Sequence, residues 1–502
     1  MKTGYILALD QGTTGTRAII FDHNGDLIDS AYLEIKQHFP EPGWVEHDPT
    51  EIWNKTRECI EKVLSNKEIP LDEIRSIGIT NQRESIVLWD KDTGKPLYNS
   101  INWQCRRSSS ICDELKKRGY EKTIRDKTGL FIDPYFSATK IMWVMRHVKG
   151  MKEKFDNGSI RVGNIDSWLI WNLSGGRNHV TDYSNASRTM LFNINTLQWD
   201  DEILKITDIP RAALPDVKPS SGSIGTACGP LFDGREIPIT GVAGDQQSAA
   251  FGQACFNKGM IKSTYGTCLS MVMNIGSEPK KSENGLTTDL AWNVGGNVTY
   301  ALEGGIFIGG AVIQWLKDGL RIIKDESECD TMARKVDDTG GVYLVPGFTG
   351  LGAPYWDPYA RGVIIGITRG TTAEHIVRSA LESIAYQTKD IIDAMASDSG
   401  AVPESLRVDG NVTQSEFTMQ FQSDILGIPL EKPVITEMSA LGACFLAGLG
   451  VGLWDSTEEL ENKWKLQKRY EPKMSSEQRE ELYYHWKRAV KRSFKWQEEK
   501  NQ

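Results

Sequence analysis

The chain has 502 residues, 39% of them apolar, which is more than one hydrophobic core organises, so two large domains are expected. Sixty-seven acidic against 58 basic side chains leave a formal net charge of -9, which excludes a basic field for nucleic acid or an anionic bilayer and favours a small ligand in a cleft. Eight scattered cysteines form no C-x-x-C pair or His/Cys cluster, so reduced thiols of the cytoplasm are expected rather than a disulfide framework or zinc site. No apolar run reaches transmembrane length.

Residues 5–9 read as a short apolar strand that ends at Asp10 and runs into Gln11-Gly12-Thr13-Thr14-Gly15-Thr16-Arg17. Glycines let backbone N–H groups approach a phosphate, hydroxyls add donors, and a carboxylate at a strand end can hold Mg²⁺ through water. The same composition suits a tight hairpin turn. Further strands are predicted over 17–21, 74–79 and 85–89, and Asp48-Pro49-Thr50 marks a helix start. Asn81-Gln82-Arg83-Glu84 lies between two apolar strands, where an Arg and a Glu can fork hydrogen bonds to adjacent hydroxyls or form an internal ion pair. Trp103 and Tyr135 can supply the apolar wall and hydroxyl donor of a polyol pocket, or plain core.

Residues 237–242 form a predicted strand followed by Ala243-Gly244-Asp245-Gln246-Gln247, which opens a helix over 246–251. Asp245 is therefore expected at the carboxyl end of a strand, where it can take a proton from an alcohol or cap the helix. A domain boundary is placed near Gly252. Beyond it, residues 260–273 repeat the strand, Gly-Thr turn and strand of residues 6–21, with the turn at Tyr265-Gly266-Thr267, as either two similar halves facing one cleft or two unrelated hairpins with ordinary Gly/Thr turns would. Residues 304–310 are glycine-rich and precede Gln314 on a predicted helix; Arg407-Val408-Asp409-Gly410-Asn411 is a second strand-to-helix corner. Such corners admit a flat base or a phosphate, or serve tight packing. Residues 441–454 read as a buried helix and 476–502 as a solvated amphipathic one. No G-x-x-x-x-G-K-[ST], H-R-D or D-F-G motif occurs, so the phosphate chemistry needs another architecture.

In this order, Leu9-Asp10-Gln11-Gly12-Thr13-Thr14, Pro42-Gly43-Trp44-Val45-Glu46-His47-Asp48-Pro49, Gly78-Ile79-Thr80-Asn81-Gln82-Arg83-Glu84, Thr181-Asp182-Tyr183-Ser184-Asn185-Ala186-Ser187-Arg188, Ala243-Gly244-Asp245-Gln246-Gln247 and Gly350-Leu351-Gly352-Ala353-Pro354-Tyr355-Trp356 resemble the FGGY carbohydrate-kinase family, and within it the members that phosphorylate glycerol. The resemblance covers nearly the whole chain. It implies an α/β fold of two actin-like, RNase H-type domains, 1–252 and 253–502, flanking a central nucleotide and substrate cleft. It further implies ATP and Mg²⁺, a homo-oligomer (dimer or tetramer), and transfer of the γ-phosphoryl group to a terminal hydroxyl.

Carried over residue by residue, Arg83, Glu84, Tyr135, Asp245 and Gln246 hold glycerol beside the wall of Trp103, with Asp245 as catalytic base. Thr13, Thr14, Arg17, Thr267, Gly310, Gln314 and Gly410 hold the nucleotide, and Asp10 and Asp245 lie near the metal. The alternatives are a sister kinase for another polyol or ketose and an actin-like ATPase without a polyol substrate. Ser270 stands where an aromatic residue is usual in these kinases, Cys268 where Gly is, and Asn411 and Ser415 where Gly and Asn are. Residues 226–236 lack the glycine-rich basic loop by which some bacterial members bind fructose 1,6-bisphosphate, which implies no response to that effector.

Overall fold

In the computed structural model, which describes residues 3–66 and 68–497, the apolar runs of the first half become neighbouring strands of one large sheet. They are β1 (Tyr5–Gln11), β2 (Gly15–Asp22), β3 (Leu27–Glu34), β4 (Ile74–Asn81), β5 (Ser221–Ala227) and β6 (Ile237–Gly244). The second half adds β7 (Ile261–Tyr265), β8 (Leu269–Gly276), β9 (Thr287–Val294), β10 (Asn297–Ile306), β11 (Leu406–Asp409), β12 (Leu430–Pro433) and β13 (Leu466–Tyr470). Strands β1, β4 and β6 are almost wholly buried along their length, because parallel strands in mid-sheet are covered on both faces. That is why they read as unbroken apolar runs.

The expected echo is a repeat of topology. In the first half β1 pairs antiparallel with β2 and parallel with β4, which pairs parallel with β6. In the second, β7 pairs antiparallel with β8 and parallel with β11, which pairs parallel with β12. The two halves join edge to edge, β5 beside β9, at the single register pair Ser221 and Val294.

Seven helices matter for the site and its support: α1 (Pro49–Leu64), α2 (Asp245–Gly252), α3 (Ala311–Asp318), α4 (Ala373–Ser399), α5 (Glu416–Leu426), α6 (Met438–Gly450) and α7 (Ser476–Ser493). Helix α1 starts as its sequence predicts, with Pro49 in the first turn and the Asp48 carboxylate accepting from the Thr50 N–H at 2.7 Å. Helix α6 crosses from the second half to cover β4 and β6 of the first. A Cβ on Gly78 would lie 2.2 Å from the Ala443 carbonyl oxygen, and one on Gly241 2.3 Å from the Ala447 nitrogen, so backbone meets backbone there. Thr240 and Ser221 hydroxyls donate to the Ala447 and Leu446 carbonyls, each at 2.7 Å.

Two expectations change. The strand predicted over 85–89 begins at Val87 and leaves the main sheet to pair with Ile160–Gly163, because the chain turns sharply at Glu84. Helix α7 ends at Ser493 and is docked rather than solvated on all sides: Trp486, Ala489 and Val490 are buried, and the Asp390 carboxylate of α4 accepts from the Trp486 indole at 2.9 Å and the Tyr483 hydroxyl at 2.6 Å. Residues 498–502 lie outside the described ones. Among the described residues no helix is long and apolar enough to cross a membrane, and all eight cysteines are free thiols.

Candidate active site

Because β1, β4 and β6 run parallel, their carboxyl ends stop side by side: Asp10 is in register with Thr80, and both Gln11 and Gly244 with Asn81. Open α/β sheets bind ligands at such ends. Asp245 follows Gly244 directly as the first residue of α2, its Oδ1 accepting from the Gln246 N–H at 2.7 Å and lying 3.1 Å from the Arg83 Nε. With its side chain 30% exposed, Asp245 reaches the cleft while remaining pinned. Gly244 has no alternative here, since a Cβ would fall 2.5 Å from the Arg83 side chain.

Burial pushes the Asp10 carboxyl up to about 7; Arg17 opposes the rise, and the nearby charges of Asp245 and Glu437 add to it. Arg83 and Arg17 offset part of this negative charge, and a cation beside Asp10 and Asp245 would offset more. Magnesium suits the donor set, since it takes one or two carboxylates and completes its shell with water and phosphate oxygens. Among the described residues no group of three or more His, Cys, Asp or Glu side chains is arranged to hold a metal ion, so a metal near Asp10 and Asp245 would draw the rest of its shell from water or substrate.

The Gly12 to Thr14 turn is tied to the rest of the cleft. The Gly12 N–H donates to the Gly15 carbonyl at 2.9 Å, and the Gln82 amide donates to Gln11 Oε1 at 3.0 Å and the Gly12 carbonyl at 3.2 Å. Gln82 Oε1 in turn accepts from Asn102 and Ser85, both at 2.9 Å. The Trp103 indole donates to Thr13 Oγ1 at 2.9 Å and meets the Tyr135 ring edge-on, with centroids 5.6 Å apart. The predicted aromatic wall and the predicted phosphate turn thus share a hydrogen bond.

Arg83 and Glu84 follow the end of β4 in a turn where Glu84 has φ 60°, a left-handed conformation that costs a non-glycine residue about 1 kcal/mol or more. The turn places both side chains in a buried charged ring. Arg83 grips Glu303 of β10 with two nitrogens, at 2.5 and 2.8 Å. Glu84 accepts from Arg188 Nε at 2.7 Å, and Arg188 also reaches Asp289 of β9 at 2.7 Å and Glu303 at 3.4 Å. Burial acts to raise Glu303, but the guanidiniums of Arg188 and Arg83 outweigh it and hold its carboxyl well below the usual range. Burial, with Glu303 beside it, pushes Asp289 up to about 8.

In the second half the Gly309 and Ala311 N–H groups donate to the Thr267 carbonyl at 2.9 and 3.2 Å, and the Gly310 N–H to the Gly266 carbonyl at 2.9 Å. This folds Gly310 and the first turn of α3, which carries Gln314, onto the Gly266-Thr267 turn. Gly410, with φ 93°, presses on the Tyr265 backbone so closely that a Cβ would sit 2.5 Å from its carbonyl oxygen. Thr267, Gly310, Gln314 and Gly410 are thus brought to one cluster in the second half, while Thr13 and Thr14 belong to the first. Arg17 pairs with Glu437, next to α6, and lies over the Tyr32 ring. Ser415 caps α5, accepting from the Thr418 N–H at 3.1 Å, and Asn411 is exposed.

Residues 5–252 match the N-terminal domain, and residues 261–451 the C-terminal domain, of the FGGY family of carbohydrate kinases. The chain belongs to this family. It is 57% identical to glycerol kinase 2 of Thermotoga maritima over 493 residues, covering 98% of this chain and 99% of that one. Glycerol kinase of a Geobacillus species is 55% identical over 487 residues, 97% and 98% of the two chains. Among solved structures, Plasmodium falciparum glycerol kinase with ADP superposes with a TM-score of 0.93 at 39% identity, covering 98% of each chain. A xylulose kinase of Lactobacillus acidophilus shares the fold, with a TM-score of 0.86 at 24% identity over 98% of this chain and 99% of that one.

No motif in the sequence marks Glu303, Asp289 or Lys262 as site residues, and Arg188 stands in a family-like stretch with no role attached. Each of the first three is a lone charge in a run that otherwise reads as buried strand, which is the signal that was available.

Proposed function

We propose that this chain catalyses the ATP-dependent phosphorylation of glycerol to sn-glycerol 3-phosphate, with Asp245 as general base. The observation that carries the reading is the position of Asp245: at the end of β6, paired with Arg83, near the charge of Asp10, and next to the ring of Arg83, Glu84 and Arg188, whose Arg188 guanidinium lies 5.7 Å from the Tyr135 ring that Trp103 meets edge-on. Arg83 and Glu84 offer donors and acceptors to adjacent hydroxyls, Trp103 and Tyr135 wall the carbon chain, and Gln246 adds an amide from the next residue. Thr13 and Thr14 on one side, and Thr267, Gly310, Gln314 and Gly410 on the other, grip the nucleotide, with Arg17 exchanging Glu437 for phosphate.

In phosphoryl transfer the protein mainly positions reactants and neutralises charge. Asp245 accepts the proton of the terminal hydroxyl as its oxygen attacks the γ-phosphorus and the bond to ADP breaks. Mg²⁺ bound near Asp10 and Asp245 would neutralise phosphate charge. The domains divide near Gly252, the enzyme is cytoplasmic, and it forms a homo-oligomer, a dimer or tetramer that sedimentation would resolve.

ADP release measured with Mg-ATP alone and with glycerol, dihydroxyacetone, erythritol or xylulose tests the reading: turnover should require a polyol and be fastest with glycerol. Turnover without any acceptor would favour an ATPase, and preference for xylulose a sister kinase. Asp245→Asn should lower kcat by about 10²-fold or more, the usual scale for a lost general base, while ATP binding measured by calorimetry persists. Near-normal turnover would remove Asp245 from this role.

A further inference from the structure

Lys262 is among the largest fully buried side chains of the molecule and sits inside β7, where an apolar residue is the ordinary occupant. The phosphoryl transfer itself has no use for it. Its ammonium donates to the Gln246 carboxamide, to Thr264 Oγ1 at 3.0 Å and to the Ser270 carbonyl at 3.4 Å. Three acceptors satisfy its three donors. Burial lowers its pKa against the opposing pull of Asp409, Asp245 and Glu303, so it is, with Arg83, a cation set among buried carboxylates.

A lysine ammonium can only donate, so the Gln246 atom that faces it must be the amide oxygen. The amide N–H₂ is therefore turned away from Lys262. Among the described residues those N–H groups meet no acceptor, and Gln246, partly exposed, neighbours Asp245 on the first turn of α2. Lys262 belongs to the second half of the chain and Gln246 to the first, so the contact also spans the two.

We propose that Lys262 is a positioning residue for the acceptor: by holding the Gln246 amide oxygen from its buried place in β7, it aims the amide N–H₂ at a hydroxyl oxygen of the polyol. The inference rests on Gln246 being an acceptor ligand, and the test separates the two.

Glycerol and ATP KM, kcat and thermal unfolding are measured for Lys262→Met, Gln246→Ala and the double variant. Lys262→Met should raise glycerol KM about tenfold, the scale of one charge-assisted hydrogen bond, and leave ATP KM within about twofold. In the Gln246→Ala background the same change should add less than about twofold, because residues that act as a unit are not additive. Additive effects, or a Lys262→Met variant that shifts both KM values together, would overturn the proposal. If Gln246→Ala raises glycerol KM and Lys262→Met does not, Lys262 alone loses its role; if Gln246→Ala changes nothing, the reading of Gln246 as a ligand falls and the proposal with it. Should Lys262→Met not fold, Lys262→Gln, which keeps the polar lining satisfied but reaches less far, carries the same cycle.

Discussion

Arg83 is 4% exposed and has a carboxylate on each side: Asp245 of its own half at 3.1 Å and Glu303 of the other half at 2.5 Å. A buried guanidinium is tolerable only while such partners remain, and removing one strands the other. Glu303→Gln should therefore destabilise the protein by about 3 kcal/mol or more, read from urea unfolding, and raise glycerol KM because Arg83 shifts toward Asp245. An unchanged midpoint would mean that the ring tolerates a neutral partner. Ser270 lies on β8 opposite Thr264, on the same face as Lys262, and so on the wall nearest Gln246. Ser270→Phe adds a ring to that wall and should raise the ratio of glycerol to erythritol kcat/KM about tenfold, since pockets discriminate a carbon on that scale. Arg83 and Glu84 were legible in the sequence as a candidate pair, but their partners were not. Glu303 is 220 residues away, and nothing in a lone strand charge says which distant group will neutralise it.

The elements were legible where one signal sufficed. Strands β1, β4 and β6 are unbroken apolar runs, α1 announces itself by Asp48 and Pro49, and α2 begins where a strand ends on Gly244-Asp245. Adjacency was less so. The 85–89 run is as apolar as a sheet strand, yet the left-handed turn at Glu84 carries it into a separate ladder. Helix α6 reads as buried from its composition, but its seat against β4 and β6 depends on glycines more than 200 residues earlier in the chain. Gly78→Ala tests that seat: its methyl would meet the Ala443 carbonyl at 2.2 Å, and rigid backbone cannot yield cheaply. The expected loss is about 2 kcal/mol or more, seen as a lower unfolding temperature; an unchanged temperature would show that α6 can slide.

At the scale of the molecule, the repeat of topology was half-visible as a short echo, because only the two Gly-Thr hairpins keep similar residues while the flanking strands keep only their order. Burial also sets a pH response. His179 packs edge-on to Trp89 and donates from Nε2 to the Val162 carbonyl at 2.9 Å, and burial lowers its pKa from 6.5 to about 4. The unfolded chain binds a proton that the folded chain refuses, so this contribution is present above pH 6.5 and is lost as pH falls toward 4. Asp166 and Glu382, both pushed up to about 7 by burial, act in the opposite sense, so the effect is read as a difference. Wild type should lose about 2 kcal/mol relative to His179→Phe between pH 8 and pH 5, measured by urea unfolding of both. A constant difference would place the imidazole in water.

The seat of α6 has a consequence during synthesis. The first half of the sheet is complete once residue 244 has left the ribosome, but the helix that covers one of its faces ends only at Gly450. At ordinary elongation rates of about 5–20 residues per second, that face waits on the order of 10–40 s for its cover. For that interval the nascent chain presents an apolar sheet without its lid, a natural client for a chaperone. Release of the first half alone, by a stop codon near residue 252, should leave an aggregation-prone fragment rather than a free-standing domain.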